Sequence, residues 1–168
     1  MMAALRILLI EDSPDDAELI ELALRREGKP IDLTVVAALE EVRAALLGRT
    51  WDVILADFSL RGFTAREALA VLRESGKDIP FIVVSGSIGE ETAVSLMKAG
   101  ASDFFLKDRV TRLGAAIERE LREAEVRRER RDAMTRLEED GFVRVVARAD
   151  NELVLGIQHP QPTVAHPT

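Results

Sequence analysis

Residues 53–59 decide the fold, and they read Val53-Ile54-Leu55-Ala56-Asp57-Phe58-Ser59. Four apolar residues in a row, the first two of them β-branched, predict a strand buried on both faces, as in a parallel sheet. The strand ends at the carboxylate of Asp57. In open α/β sheets ligands bind at the carboxyl ends of the strands, and a charge there costs solvation unless another group pairs with it. An aspartate just past a strand is also common on surfaces, so the other strand ends decide its role.

Three further apolar runs also end in polar groups that could meet Asp57. The groups that follow these runs are Glu11-Asp12, Ser85 and Lys107. A parallel sheet would place them along one edge, where clustered carboxylates repel one another and have raised pKa values unless a cation is present. Hard oxygen ligands without cysteine or histidine favour Mg²⁺ over a transition metal. The sequence therefore predicts a magnesium site at this edge.

Strand and helix signals alternate five times along the first two thirds of the chain. Strands are predicted at 5–10, 33–37, 53–56, 80–84 and 103–106, and helices at 14–27, 39–47, 65–74, 90–99 and from about 109–112 onward. Ser13 before Pro14, and Thr64 three residues before Glu67, are helix-start signals. The alternation predicts a flavodoxin-like (βα)5 fold, with a parallel sheet in the order 2-1-3-4-5. Its switch point between strands one and three would bring Glu11, Asp12 and Asp57 together.

The composition of the chain argues against several classes of protein. It has 168 residues, 47% of them hydrophobic, no cysteine and a net charge of −7. An acidic chain argues against direct binding of nucleic acid, which depends on neutralising phosphates. Without a run of 18 apolar residues or a signal-peptide pattern, neither a membrane span nor export is expected, and the predicted location is the cytoplasm. The two histidines, His159 and His166, lie in a Pro-rich tail, so a histidine-centred catalytic site is not expected.

Helix five continues beyond the length that a compact domain needs. No Gly or Pro occurs from Ile117 to Leu137, and an apolar seam lapses across residues 127–132 before it returns. The extension is either a solvated helix or a linker that pairs with a second copy, although the seam is not a sustained heptad pattern. After Gly141, residues 142–147 and 153–157 predict a hairpin across Asp150-Asn151. The predicted organisation is a domain at 1–120, a helical extension at 121–140, and a hairpin with a disordered tail at 141–168.

The order and spacing of the polar residues resemble one known family. Glu11-Asp12, Asp57, Ser85 and Lys107, with the run Gly100-Ala101-x-Asp103-Phe104-x-x-Lys107, resemble the receiver domain of two-component response regulators. The resemblance covers about residues 4–120.

The resemblance implies a role for each residue at the strand ends. It implies that Asp57 is the phosphoacceptor, which takes a phosphoryl group from a phosphohistidine of a sensor histidine kinase or a phosphotransfer protein. Mg²⁺ would be bound by Asp12, by the Asp57 carboxylate and by the backbone carbonyl of Ser59, with Glu11 acting through metal-bound water.

Three further residues would respond to the added phosphoryl group. The resemblance implies that Lys107 pairs with the phosphoryl oxygens and that Ser85 donates its hydroxyl to them. Phe104 would be the aromatic residue that turns inward as Ser85 moves. Each of the three residues also has a purely structural interpretation. Phe104 could be an ordinary core residue, Ser85 part of a turn at the strand end, and Lys107 a solvated surface charge. The family usually has Pro after the strand-five lysine, where this chain has Asp108, and Phe104 lacks the hydroxyl of a tyrosine.

The expected function is a phosphorylation-dependent switch that signals by protein contact to a downstream partner of unknown identity. No helix-turn-helix pattern follows residue 120, and a homodimer through helix four, strand five and helix five is expected. The expected chemistry is limited to self-phosphorylation and autodephosphorylation. One alternative is a pseudo-receiver that serves as a dimerisation scaffold without phosphotransfer. Another is an aspartyl-phosphate phosphatase, but those enzymes carry a second Asp two residues after the nucleophile, where this chain has Ser59.

Overall fold

Five parallel strands form the central sheet of the computed structural model, which describes residues 2–141, 143–149 and 152–157. The strands are β1 (Leu5–Ile10), β2 (Ile31–Val36), β3 (Val53–Ala56), β4 (Phe81–Ser85) and β5 (Asp103–Leu106). They are hydrogen-bonded in the order β2-β1-β3-β4-β5, and every neighbouring pair is parallel. The predicted flavodoxin-like order 2-1-3-4-5 is therefore confirmed.

Helices follow each strand, as the alternation predicts. They are α1 (Pro14–Arg25), α2 (Leu39–Gly48), α3 (Ala65–Glu74), α4 (Glu90–Ala99) and α5 (Leu113–Glu139), and a 3₁₀ helix at Lys107–Arg112 precedes α5. Local signals set their ends: Ser13 Oγ accepts from the Asp16 N–H before α1, and Glu67 Oε2 accepts from the Thr64 N–H at 2.8 Å before α3. Gly100, with φ of 111°, ends α4 in a left-handed conformation that a residue with a side chain adopts only with strain.

The sheet separates two hydrophobic layers. Strand residues alternate between them, so that Leu8, Ile10 and Ile54 face α2, α3 and α4, whereas Ile7, Leu9 and Leu55 face α1 and α5. All four residues of β3 are fully buried, as the apolar run predicts. Each Leu or Ile buried in this way stabilises the fold by roughly 1.5–3 kcal/mol. This packing fixes β3, and with it the position of Asp57.

Several boundaries differ from the sequence prediction. α1 ends at Arg25 rather than at residue 27, and β2 begins at Ile31 rather than at residue 33. Leu19, an apolar residue within the predicted α1, is 45% exposed. Residues expected to form a plain loop after β3 instead make a two-residue antiparallel ladder, in which Ser59–Leu60 pair with Phe63–Thr64.

The chain divides into two compact units, Met1–Ala124 and Glu125–Thr168. In the second unit, β6 (Val143–Ala149) and β7 (Glu152–Ile157) pair antiparallel, with an irregular register between Val145 and Ala147. Residue 142, the predicted turn at Asp150-Asn151 and the predicted tail from 158 onward lie outside the described residues. Within the part of the chain that is described, no helix has the length and apolar character needed to cross a bilayer.

Candidate functional site

The pairing of β1 with β3 brings two acidic segments to the same edge of the sheet. Ile10 and Ala56 are partner positions in the parallel ladder, and the Asp57 N–H donates to the Ile10 carbonyl at 2.9 Å. Glu11 and Asp57 therefore leave adjacent strands side by side. Their proximity follows from the register of the sheet, which the buried apolar residues of both strands determine.

Glu11, Asp12 and Asp57 form an acidic cluster in which each contributes one carboxylate oxygen, all within 4.8 Å of one another. The Glu11 side chain has no exposed surface, and the Asp12 and Asp57 side chains are 17% and 12% exposed. Burial is the main reason that the pKa values of Glu11 and Asp57 are raised, and the charge of Lys107 opposes the rise in both. The cluster holds more negative charge than its burial tolerates without a further cation.

Lys107 brings its ammonium group into contact with three carboxylates. Its Nζ lies 2.6 Å from Asp16 Oδ2, 3.0 Å from Glu11 Oε2 and 3.5 Å from Asp57 Oδ1. Burial lowers the pKa of Lys107, but the close contacts with Asp16 and Glu11 and the charge of Asp57 raise it by more, so that it lies above its usual range. Lys107 is consequently a fixed cation beside the Asp57 carboxylate.

The donor set fits a hard divalent cation such as Mg²⁺. Glu11 Oε1 accepts from the Ser13 N–H at 3.0 Å, and the buried Glu11 Oε2 faces the Lys107 ammonium at 3.0 Å. That single ammonium also contacts Asp16, so it only partly balances the three clustered carboxylates. A divalent cation bound among them would supply the remaining positive charge, and oxygen ligands are those that Mg²⁺ prefers.

Ser85 and Phe104 lie at the ends of the next two strands. Ser85 is 4% exposed, and its Oγ donates to the Ser87 carbonyl at 3.2 Å rather than to the acidic cluster. Ser85 pairs with Leu106, the residue before Lys107, so the hydroxyl and the ammonium leave neighbouring strands. Phe104 is half-buried against the hydrophobic layer that contains α2, α3 and α4. Ser59 lies two residues after Asp57, in the short ladder.

Two residues that the sequence does not single out as site residues contact the cluster or Lys107. Asp16, in the first turn of α1, makes the shortest contact with Lys107, and the Arg61 N–H donates to Asp12 Oδ2 at 2.9 Å. Asp16 is recognisable in the sequence only as an acid suited to the start of a helix. Arg61 is recognisable only as a residue of a turn.

Comparison with known proteins agrees with the arrangement of the strand ends. The family model described as the response regulator receiver domain matches residues 7–118. The chain belongs to this family. Receiver residues thus make up the greater part of the chain, and the acidic cluster and Lys107 all fall within them.

The curated relatives that match this chain are longer regulatory proteins, and the aligned region covers only part of each. The cell cycle transcriptional regulator CtrA of Caulobacter vibrioides is 32% identical over 122 residues, which cover 68% of this chain and 51% of CtrA. The nitrogen assimilation regulatory protein NtrX of Azorhizobium caulinodans is 30% identical over 129 residues, 75% of this chain and 28% of NtrX. The chain spans about half the length of CtrA and less of NtrX.

Solved receiver structures share the fold of this chain. The signal receiver domain of a LuxO-type repressor from Vibrio parahaemolyticus aligns with a TM-score of 0.67 at 23% identity, and covers 74% of this chain and 95% of that domain. The receiver domain of the sensor histidine kinase PA1611 of Pseudomonas aeruginosa aligns with a TM-score of 0.61 at 26% identity, over 71% of this chain and 98% of that domain. The latter structure contains a magnesium ion in its active-site cleft.

Proposed function

We propose that this receiver domain accepts a phosphoryl group on Asp57 from the phosphohistidine of a sensor histidine kinase or a phosphotransfer protein. One observation carries the proposal: the Asp57 carboxylate lies in an acidic cluster beside the ammonium group of Lys107, 3.5 Å away. In the transfer, an Asp57 oxygen forms the new P–O bond while the P–N bond to the donor histidine breaks. The product is an acyl phosphate, and the released imidazole takes up a proton from water.

The groups around Asp57 compensate the negative charge of the transferred phosphoryl group. Lys107 pairs with the phosphoryl oxygens, and Ser85 donates its hydroxyl to them in exchange for the Ser87 carbonyl. Asp12, Asp57 and the Ser59 carbonyl would hold Mg²⁺, and Glu11 would act on it through water. An ion bound there would neutralise negative charge on the phosphoryl oxygens. The carboxylate oxygens of Glu11, Asp12 and Asp57, which lie within 4.8 Å of one another, support this assignment.

The response of the domain passes through Ser85 and Phe104. As Ser85 moves towards the phosphoryl group, Phe104 turns inward, and the added charge favours one arrangement of the loops after β4 and β5. The changed surface at α4, β5 and α5 then contacts an unidentified downstream protein or a second copy of the chain.

The proposed organisation follows the division predicted from the sequence. Residues 1–120 form the receiver. Residues 121–140 extend helix α5 and act as a linker, and residues 141–168 contain the hairpin. Signalling through the linker would require pairing with a partner helix, because a lone helix rich in charged residues has little apolar surface to bury.

Acetyl phosphate with Mg²⁺ tests the proposal without a partner kinase. The wild-type chain is expected to gain the mass of one phosphoryl group, and Asp57→Asn is expected to gain none, because an amide cannot form the acyl phosphate. Asp32→Asn, the same change at an exposed position on β2 paired with Arg49, is the matched control and should be labelled like wild type.

Intact-mass measurement and sensitivity of the label to hydroxylamine decide the outcome. An unchanged mass in the wild-type chain, under conditions that label another receiver, would favour the scaffold without phosphotransfer. A label that persists in Asp57→Asn would place the phosphoacceptor elsewhere.

A further inference from the structure

Arg61 lies beside the acidic cluster, in a turn whose two flanking residues are buried in the hydrophobic core. Leu60 and Phe63 pair across the turn, and their side chains are 8% and 7% exposed. Between them stand Arg61 and Gly62, and Gly62 has φ of 86°. That angle lies in the left-handed region, which glycine adopts without strain. Arg61 is therefore the first central residue of a turn whose two ends are anchored.

Both the backbone and the side chain of Arg61 are directed at Asp12. The Arg61 N–H donates to Asp12 Oδ2 at 2.9 Å, and Arg61 Nε lies 3.9 Å from the same oxygen. The Arg61 side chain is 91% exposed, whereas that of Asp12 is 17% exposed. The guanidinium thus stands at the rim of the cluster, next to the carboxylate proposed to bind Mg²⁺ directly.

We propose that Arg61 sets the affinity of the acidic cluster for Mg²⁺ through two separable contributions. Its N–H is a positioning contact that holds the Asp12 carboxylate in place, and its guanidinium opposes the divalent ion by charge repulsion and by competing for Asp12. This inference rests on the proposed function, because it takes Asp12 as a ligand of the ion. Arg61 adds a second cation near a cluster that Lys107 already contacts, so the net negative charge that attracts the metal is reduced.

Substitutions at residue 61 test the two contributions separately. Arg61→Ala removes the guanidinium and keeps the N–H, and Arg61→Lys keeps a cation. Arg61→Pro also removes the N–H, and its urea unfolding midpoint shows whether the fold is retained. Arg25→Ala is the matched control, because Arg25 pairs with Glu21 at the far end of α1, about 16 Å of helix from Pro14.

Calorimetric titration of the full chain with MgCl₂ measures the affinity directly. Repulsion between an exposed cation and Mg²⁺ a few ångströms away predicts that Arg61→Ala binds about threefold to tenfold more tightly at low ionic strength, with the difference shrinking as salt is added. Arg61→Lys and Arg25→Ala should bind like wild type. Arg61→Pro should bind more weakly than Arg61→Ala, because Asp12 is no longer held.

The titration separates failure of this inference from failure of the proposed function. If the wild-type chain binds Mg²⁺ and Arg61→Ala binds it equally well, or if the difference does not depend on salt, the role of Arg61 is wrong and the phosphoacceptor site still stands. Absence of Mg²⁺ binding in the wild-type chain would overturn both.

Discussion

Lys107 shares one ammonium group among three carboxylates, and the shortest contact is not with the proposed phosphoacceptor. Nζ is 2.6 Å from Asp16 but 3.5 Å from Asp57. The Asp16 side chain is 39% exposed, so water weakens its pull on Lys107. Asp16 therefore competes with Asp57, and with a phosphoryl group on Asp57, for the same cation.

Replacing Asp16 with Asn should release Lys107 towards the phosphoryl group. We expect labelling by acetyl phosphate at saturating Mg²⁺ to become about twofold to fivefold faster, the rate equivalent of about 0.4–1 kcal/mol for a partly exposed ion pair. The time course of the intact mass measures this rate. Asp15→Asn, the same change at the exposed neighbouring residue, should leave the rate near that of wild type. A slower Asp16→Asn would indicate instead that Asp16 holds Lys107 in its productive position.

Sequence patterns predict some residues of the site and miss others. The acidic cluster and Lys107 each follow an apolar strand, so strand alternation alone predicts that they share an edge of the sheet. Asp16 and Lys107 are 91 residues apart, and Arg61 and Asp12 are 49 apart. These contacts depend on how α1 and the turn after β3 pack, which no local pattern encodes.

At the scale of elements, strands and helices with strong local signals match the prediction closely. The bounds of β1, β3, α3, α4 and β5 match, because buried runs, capping residues and glycines mark their ends. The ladder at residues 59–64 is too short to give a periodic signal. After β5, where Asp108 stands in place of the usual Pro, a 3₁₀ helix runs from Lys107 to Arg112, and α5 begins only at Leu113.

Helix α5 contains a buried acid, Glu120, that is 4% exposed. Burial is the main cause of its raised pKa, the charges of Glu123 and Asp103 add to the rise, and Arg119, 3.5 Å away, opposes it. A carboxyl group whose folded-state pKa is above its unfolded value binds more protons in the folded state. Its contribution to stability is therefore lost as the pH rises through the folded-state pKa.

Glu120→Gln, which cannot ionise, should gain stability relative to wild type as the pH rises above 4.5, the ordinary pKa of a glutamate. Urea unfolding followed by the fluorescence of the single tryptophan, the buried Trp51, measures the difference between the two chains at each pH. Glu18→Gln on the exposed face of α1 should show a smaller trend. A difference that is constant with pH would mean that Glu120 ionises normally in the folded chain.

At the scale of the whole molecule, the proposed homodimer face contains exposed apolar side chains. Val94 and Met97 on α4 are 47% and 42% exposed and lie one helical turn apart. On the two other elements of the proposed face, Arg119 of α5 pairs with Asp103 of β5. The face therefore combines apolar surface with charged groups, as interfaces between proteins do.

Beryllofluoride with Mg²⁺, which mimics the phosphoryl group, should shift the chain towards dimer in sedimentation velocity. Val94→Glu should weaken the association by about tenfold or more, because a buried Val side chain contributes roughly 1.5 kcal/mol and a buried charge adds a further cost. Leu47→Glu, at an 87% exposed position on α2, should have little effect. Equal effects of the two substitutions, or a wild-type chain that stays monomeric in both states, would contradict the proposed face.

The site takes its side chains from strand ends that are far apart along the chain, which has a consequence for synthesis on the ribosome. Glu11, Asp12 and Asp57 emerge first, while the lysine that partly neutralises them is still inside the exit tunnel or not yet translated. Until β5 joins the sheet, a nascent chain would gather three acids without their resident cation. Phosphate acceptance is therefore expected to begin only after Lys107 has been synthesised and has joined the site.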